Sequence, residues 1–230
     1  MTMEAVLQPA PLAGEHEDWL HRLGVSLSAS KWSESLQGIV GKLALNTPLD
    51  LEDGVVLFNH PDLHELGALA NAVREARFGR QAFFNSNVHI NQTNICVLAC
   101  RFCAFRRGPK ADDAYAMSVD EYVADLAQYA HAVDEVHSVG GLHPEWGVEH
   151  YESLFRRVSD EHPHVSIKAL TAVEIKHLAQ RSSISTLDVL KRLRKAGLMS
   201  LPGGGAEILD DEVRAVICNG KESSDCLLYT

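Results

Sequence analysis

Several common features are missing from this 230-residue sequence, and each absence excludes a class of function. No apolar run approaches the roughly 20 residues of a membrane-spanning helix, and no basic stretch followed by an apolar one opens the chain. The net charge is -10, so the chain lacks the excess of Lys and Arg with which proteins neutralise nucleic-acid phosphates. We therefore expect a cytoplasmic protein that acts on a small molecule, with no membrane and no nucleic acid as partner.

The cysteines do not follow the pattern of a disulfide framework. The chain has five of them, an odd number. Three of the five, Cys96, Cys100 and Cys103, are crowded into eight residues. Such crowding is typical of a metal site in a reducing compartment.

Strand and helix patterns alternate through the middle of the chain. Strands are predicted at 87–91, 133–139, 165–170 and 199–201, with helices between them, the clearest at 118–130, 151–158, 171–180 and 186–196. Another helix is predicted to begin at Asp62, which pairs with Glu65 in a capping box, and to end at Gly79. Alternating strands and helices form a parallel sheet. The predicted fold class is α/β, a partial (β/α) barrel of the TIM type with about four βα units and an N-terminal helical extension.

The predicted organisation has three parts. Residues 1–85 form a helical lead-in with packing helices, of which 1–35 are expected to be mobile or loosely packed, 86–220 form the partial barrel, and 221–230 are an atypical tail. A whole eight-unit barrel takes about 250 residues, and the final DCLLYT matches no expected continuation. We therefore expect a truncated chain whose fourth strand is an open edge, with poor solubility or oligomerisation and little activity alone.

The unusual sequences follow the predicted strands. The cysteines come after the first strand, Gly140 and Gly141 after the second, Thr171 and Glu174 after the third, and 203–205 after the fourth. Functional residues of barrels lie at the carboxyl ends of the strands. The sequence therefore predicts a site at this edge of the sheet.

Three cysteines at spacings of four and three can wrap one face of an iron-sulfur cubane and leave one iron open. Two alternatives use the same residues. Zinc would need a fourth ligand from Cys218, Cys226 or a histidine, but structural zinc ligands usually come as two separated pairs. Buried structural thiols are disfavoured by the neighbouring Arg101, Arg106 and Arg107, whose charges favour thiolates.

The segment HINQTNICVLACRFCAF, with its CxxxCxxC core and Phe102 before the last cysteine, resembles the radical S-adenosylmethionine (SAM) superfamily. Together with SVGGLHP, IKALTAVEI and SLPGGGAEIL it is similar, within that superfamily, to the aminofutalosine synthase family, over roughly residues 36–223. The resemblance implies a [4Fe-4S] cluster on Cys96, Cys100 and Cys103. It also implies SAM and a reducing electron donor such as flavodoxin or ferredoxin.

The resemblance further implies roles for individual residues. Gly140 and Gly141 would meet the methionyl amino group of SAM, and the other predicted cofactor contacts are Phe102, Glu174, Gly203, Gly204 and Gly205. Weaker candidates for substrate binding are His89, Asn91, Asn94 and His143. Gln92 departs from the family, which usually has proline there, and this change is expected to soften the loop.

Each of these residues also has a structural alternative. The glycine pair could form a tight strand-to-helix turn, and Glu174 could complete a capping box with Thr171. The run 203–205 could be a flexible loop. The Asn and His side chains could satisfy backbone groups.

The implied reaction adds the 5′-deoxyadenosyl radical to the enolpyruvyl double bond of 3-[(1-carboxyvinyl)oxy]benzoate. The product is 6-amino-6-deoxyfutalosine, an intermediate of menaquinone biosynthesis, so the enzyme is expected to be a radical SAM transferase. Two alternatives remain at this point. One is a relative with another substrate, such as the dehypoxanthine futalosine cyclase or an FO synthase, and the other is a non-catalytic iron-sulfur or zinc-binding fragment.

Overall fold

The structure is a computed structural model that describes residues 16–203 and 208–218. The chain divides into two compact units, Met1–Phe84 and Asn85–Thr230. The described part of the first unit is helical and contains α1 (His16–Ala29), α2 (Glu34–Ala44), α3 (Leu51–Asn59) and α4 (Leu63–Phe78). Within the described residues, no helix is both long and apolar enough to cross a membrane.

Helix α1 corrects the expectation of a loosely packed lead-in over 1–35. Leu23 and Leu27, spaced four residues apart, are buried in the core of the first unit together with Leu36, Ile39 and Leu69. The Arg22 side chain on the same helix donates two hydrogen bonds to the backbone oxygen of Ala76, at 2.9 and 3.1 Å. A stripe of only two leucines among polar residues is a weak periodic signal, and tertiary packing makes the helix stable. Residues 1–15 lie outside the described residues.

Helix α4 begins and ends where the sequence predicts, but its first turn is capped differently. Asp62 accepts hydrogen bonds from the first backbone N–H groups of the helix, and Gly79, with φ of 59°, follows its last residue. The carboxylate of Glu65 does not return to Asp62. It accepts from the backbone N–H of Ser33 at 2.6 Å and lies 2.8 Å from Nε2 of His60, so it links α4 to the chain before α2.

The second unit is built on a four-stranded parallel sheet in the order β1-β2-β3-β4. The strands are β1 (Asn87–His89), β2 (Glu135–Ser138), β3 (Ser166–Ala169) and β4 (Leu198–Ser200). The helices are α5 (Val119–Ala127), α6 (Val148–Glu161), α7 (Ala172–Ser182), α8 (Thr186–Ala196) and α9 (Asp211–Ile217), and a 3₁₀ turn (Ala130–Ala132) precedes β2. This topology confirms the predicted α/β fold. Helix α9 was not predicted.

Alternate strand residues face opposite sides of the sheet. Val136 and Ile167 are buried and belong to one core cluster with residues of α5 to α8, such as Leu126, Phe155 and Leu193. The alternate residues of the two strands, Glu135 and His137 in β2 and Ser166 and Lys168 in β3, lie on the face away from this core and are only partly buried. The hydrophobic core thus fixes which residues each strand presents to the other side.

Candidate functional site

The three cysteines lie on the segment that leaves β1 at the carboxyl edge of the sheet. Backbone bonds hold this segment: the N–H of Cys96 donates to the carbonyl of Arg107 at 3.1 Å, and the N–H of Arg107 donates to Asn94 at 2.7 Å. The N–H of Cys103 donates to the carbonyl of Cys100 at 3.2 Å, which closes a turn between those two ligands. None of the three cysteines forms a disulfide, and all three are half-buried.

Two polar side chains close the loop behind the cysteines. The Arg107 guanidinium donates to the carbonyls of Ala104 and Arg106 at 2.7 and 2.9 Å and pairs with Asp113 at 2.7 Å. Asn94 is buried, and its amide donates to the carbonyl of Asp113 while its side-chain oxygen accepts from the N–H of Tyr115. Both ends of the Asn94 side chain therefore bind backbone groups of the loop, which is the structural role considered for this residue as an alternative to substrate binding.

Helix α9 adds a contact at the turn that carries Phe102. The N–H of Arg101 donates to the carbonyl of Ile217 at 2.7 Å. Phe102, which was predicted to contact the cofactor, is 46% exposed on this turn. The end of α9 thus fixes the cysteine turn from a segment that sequence patterns did not identify as structured.

The glycine pair after β2 packs directly on the cysteine loop. A Cβ at Gly141 would overlap the carbonyl group of Ile95 and lie 3.0 Å from Cβ of Cys96, and one at Gly140 would lie 2.6 Å from Nε2 of Gln92. Neither glycine has a positive φ. Close approach of two backbones, rather than a strained turn, is therefore the structural reason for glycine here.

Both N–H groups of the glycine pair are already used. Gly140 donates to Oε1 of Glu174 at 3.0 Å, and Gly141 donates to the carbonyl of Thr93 at 2.9 Å. No hydrogen bond from a described residue reaches the carbonyl oxygen of either glycine. The pair therefore presents acceptors, which suits a ligand that carries an ammonium group.

Glu174 joins the ends of β2 and β3. Thr171 caps α7, and the second carboxylate oxygen of Glu174 accepts from the backbone N–H of Thr171 at 2.7 Å, which completes the predicted capping box. The other oxygen accepts from Gly140, so one buried side chain serves both the helix and the glycine pair. Burial raises the pKa of Glu174 to about 7, although its backbone donors from Gly140 and Thr171 oppose the shift.

Gln92, where the family usually has proline, is anchored by the hydrogen bonds of its side chain. Its side chain is buried, donates to the hydroxyl of Tyr151 at 3.1 Å and accepts from the hydroxyl of Ser138 at 2.7 Å. It also hydrogen-bonds Glu174. We call these four residues, Gln92, Ser138, Tyr151 and Glu174, the buried polar network. Because this amide both donates and accepts, hydrogen bonds hold the loop at a position where proline would instead restrict φ.

Sequence patterns contain little sign of the role of Gln92. Gln92 lies between the predicted strand 87–91 and the first cysteine, and glutamines in such connecting segments are more often exposed. The departure from proline was the available signal. Its meaning depends on Tyr151, which lies 59 positions away in sequence.

The remaining candidates lie around the same edge. The side-chain oxygen of Asn91 accepts from the backbone N–H of Val139 at 3.3 Å, beside the glycine pair. His89 is exposed at the end of β1, and its ring stacks on that of His137 with centroids 4.8 Å apart. Gly203 follows β4 with φ of 72°, and no atom of a described residue lies within 4 Å of a Cβ placed there. Gly204 and Gly205 lie outside the described residues.

His143 belongs to an aromatic stack beside the glycine pair. Its ring is 4.2 Å from that of Trp146, whose other face stacks on His150 at 3.8 Å. Burial lowers the pKa of His143, and burial together with His143 lowers the pKa of His150 to about 4. Neutral imidazoles pack well on an indole, and the three stacked rings form a flat aromatic surface next to Gly141. A narrow cleft beside it is lined by Gly141, His143, Trp146, Tyr151, Glu174 and His177.

The donor set fits an iron-sulfur cluster. Thiolates are the usual ligands of such clusters, and the loop supplies three cysteines outside any disulfide from a single turn-forming segment. Among the described residues, no three His, Cys, Asp or Glu side chains converge on one point as they would around a single ion. In a cubane each thiolate binds a different iron, so its ligands surround a larger body and do not meet at one point.

Comparison with known families agrees with this geometry. The model described as "Radical SAM superfamily" matches residues 90–229, which include the cysteine loop, the glycine pair and strands β2 to β4. The chain belongs to the radical SAM superfamily. Members of this superfamily use a [4Fe-4S] cluster and SAM.

Curated members of the radical SAM superfamily resemble the chain over most of its length. The aminodeoxyfutalosine synthase of Thermus thermophilus is 39% identical over 81% of this chain and 50% of its own length. That of Streptomyces coelicolor is 44% identical over 72% and 43%. The cyclic dehypoxanthine futalosine synthase of Streptomyces coelicolor is 34% identical over 83% and 49%. The chain thus spans about half the length of the curated relatives it matches.

A solved radical SAM structure shares the fold. HydG, a maturase of the [FeFe]-hydrogenase, superposes with a TM-score of 0.50 over 84% of this chain and 51% of its own, at 13% identity. At that identity the likeness concerns the fold alone. It agrees with the partial barrel of the TIM type predicted from the alternation of strands and helices.

Proposed function

We propose that the chain is the cluster-binding half of an aminodeoxyfutalosine synthase. In this proposal Cys96, Cys100 and Cys103 hold a [4Fe-4S] cluster, and SAM binds at the open iron. The adenosyl group of SAM is transferred to the alkene of 3-[(1-carboxyvinyl)oxy]benzoate, with loss of methionine and of the carboxylate carbon, to give 6-amino-6-deoxyfutalosine. A donor such as flavodoxin or ferredoxin supplies the electron that cleaves SAM, and one electron is released again when the carboxylate leaves as carbon dioxide, so the transfer is redox-neutral overall.

One observation carries the proposal: three thiols that form no disulfide stand on a braced loop, and the loop packs against a pair of glycines whose carbonyl oxygens receive no hydrogen bond from a described residue. When bound, the cluster and SAM supply the electron transfer and the adenosyl radical. The protein holds the groups that bind the cluster and SAM in fixed positions. The backbone bonds of the loop fix the thiols, and the close packing of Gly141 on Ile95 fixes the distance between the thiols and the glycine carbonyls.

The glycine pair would receive the methionyl end of SAM. The carbonyls of Gly140 and Gly141 accept hydrogen bonds from its ammonium group, because their N–H groups are committed to Glu174 and Thr93. In this arrangement Glu174 acts through Gly140 and is a positioning residue. Phe102, on the turn before Cys103, and Gly203 to Gly205 are proposed as further SAM contacts.

The substrate assignment rests on the relatives, two of which are aminodeoxyfutalosine synthases with 39% and 44% identity. Cyclic dehypoxanthine futalosine synthase is a second candidate, supported by the 34% identity to the Streptomyces coelicolor enzyme. The two reactions share the cluster and SAM and differ in the acceptor.

Product analysis under anaerobic conditions separates the two candidates. The chain is reconstituted with iron and sulfide, supplied with SAM and dithionite, and incubated either with 3-[(1-carboxyvinyl)oxy]benzoate or with dehypoxanthine futalosine. We expect reductant-dependent cleavage of SAM to methionine, with only slow formation of 6-amino-6-deoxyfutalosine, from the chain and from a Cys218→Ala control. Conversion of dehypoxanthine futalosine alone would favour the second candidate, and no reductive cleavage of SAM would contradict both.

A further inference from the structure

A row of cationic and imidazole side chains crosses the sheet on the face away from the helices. The strand register aligns His89 of β1 with His137 of β2, and His137 with Lys168 of β3. Their neighbours Val88, Val136 and Ile167 pack into the helix-side core, so all three side chains of the row lie on the opposite face. The row continues to Ser200 of β4, which pairs with Lys168.

On the sheet face away from the helices, the row is the set of side chains nearest the carboxyl edge. His89 is the last residue of β1, and in β2 and β3 only Ser138 and Ala169 follow His137 and Lys168, each on the other face. The cysteine loop, the glycine pair and the Thr171 cap leave the sheet directly beyond these positions. A small molecule held on the row would therefore lie next to the proposed cluster and SAM.

Lys168 gives the row a positive charge, and no carboxylate of the described residues is paired with it. Lys168 has no ion pair or hydrogen bond with any described side chain, and the strand positions aligned with it are His137 and Ser200. Glu135, one layer further from the edge, is the nearest acid of β2. Burial lowers the pKa of His137, His89 and Lys168 lower it further, and Glu135 opposes them. These are the charged groups that face His137 from its own strand and from the two flanking strands.

The two imidazoles also offer a flat surface. The His89 and His137 rings are stacked with an interplanar angle of 20°, and His89 is exposed. A planar ring can lie along such a pair while a carboxylate reaches the ammonium of Lys168. Phosphates would also find positive charge here, but the stacked rings favour an aromatic anion.

We propose that His89, His137 and Lys168 form the binding site for the carboxylate of an aromatic substrate. The inference rests on the proposed function and deepens it: the row holds the benzoate end of the substrate, and its alkene then points towards the carboxyl edge. Lys168 supplies the charge, and the paired imidazoles support the ring. Sequence patterns singled out only His89 of this trio, because the register that joins it to His137 and Lys168 appears only in the folded sheet.

Benzoate, a stable fragment, is a suitable probe for the site. Binding to the anaerobically reconstituted chain is measured by histidine-ring NMR, with His89→Gln and His137→Gln used for assignment, and benzamide serves as the neutral control. We expect benzoate to perturb the His89 and His137 signals and to raise the pKa of His137, and benzamide to bind more weakly. Lys168→Met should weaken benzoate binding about tenfold, the ratio expected for one charge-assisted hydrogen bond.

Two further variants keep the test decisive. Lys168→Arg keeps the charge and should retain binding, whereas Lys191→Met removes an exposed lysine from α8 and should leave it unchanged. Circular dichroism verifies that each variant is folded. The inference is overturned if benzoate does not bind, if it perturbs other histidines only, or if Lys168→Met and Lys191→Met behave alike. Reductive cleavage of SAM by the unchanged chain, without benzoate, tests the proposed function separately.

Discussion

The cysteine loop and the buried polar network adjoin each other but are built in different ways. The three thiols are half-buried, on a loop that is held largely by backbone hydrogen bonds. The four side chains of the network are almost fully buried, and they are hydrogen-bonded to one another or to the backbone. We expect the two regions to have different roles: the half-buried thiols are proposed to bind the cluster, and the buried side chains hold the loop in place. Substitutions in the two regions should therefore separate function from stability.

The largest expected effect is on the loop side. Cys100→Ala should reduce the content of the reconstituted chain from about four irons and four sulfides to nearly none, because an iron of the cubane loses its thiolate. Thermal unfolding of the apoprotein should hardly change, since the Cys100 side chain is only half-buried. Cys218→Ala is the matched control and should keep the iron. Equal iron in both variants would mean that Cys100 is not a ligand.

The contact between the two regions should be the most sensitive to added volume. Gly141→Ala places a methyl group on the carbonyl of Ile95 and should destabilise the chain by about 3 kcal/mol or more. Gly67→Ala on α4, where a Cβ meets nothing within 4 Å, should be neutral or stabilising. Denaturant unfolding measures both. Similar midpoints for the two variants would contradict the close packing described for Gly141.

Within the buried polar network, loss of Gln92 should cost stability without removing a ligand. Gln92→Leu leaves the hydroxyls of Ser138 and Tyr151 without their amide partner, which should destabilise the chain by about 2 to 3 kcal/mol. Gln128→Leu, at an exposed position after α5, should cost less than about 0.5 kcal/mol. Iron content after reconstitution should be similar in the two. Equal stability of both variants would mean that the network is not a structural unit.

Glu174 gives the network a dependence on pH. Its pKa is about 7 in the folded chain, above the ordinary value of 4.5, so the folded state binds the proton more tightly than the unfolded state. Stability should therefore fall as pH rises through this window, by about 2 kcal/mol between about pH 5 and about pH 6.5. Glu174→Gln should remove this component of the pH profile. Parallel profiles for the two proteins would show that Glu174 titrates normally.

The second unit could be predicted well because its signals are local. The capping pair of Thr171 with Glu174 fixes the start of a helix from local sequence, and it appears in the structure at the start of α7. Strand positions follow from apolar runs. The placement of the cysteines and glycines at one edge then follows from the parallel topology.

What could not be predicted depends on contacts between distant residues. Helix α1 is held by a core drawn from three other segments, and its own periodicity is weak. Gln92 becomes meaningful only beside Tyr151, and the row from His89 to Lys168 only through strand register. Such features arise from tertiary packing, which local propensity does not report.

The central claim is that the three cysteines leave one iron of the cluster open and that SAM binds there. Electron paramagnetic resonance of the reduced, reconstituted chain, recorded with and without SAM under strict exclusion of oxygen, tests it most directly. We expect the signal of a reduced [4Fe-4S] cluster whose g values change when SAM is added. A cluster signal that is identical with and without SAM, or the absence of any cluster signal, would contradict the claim.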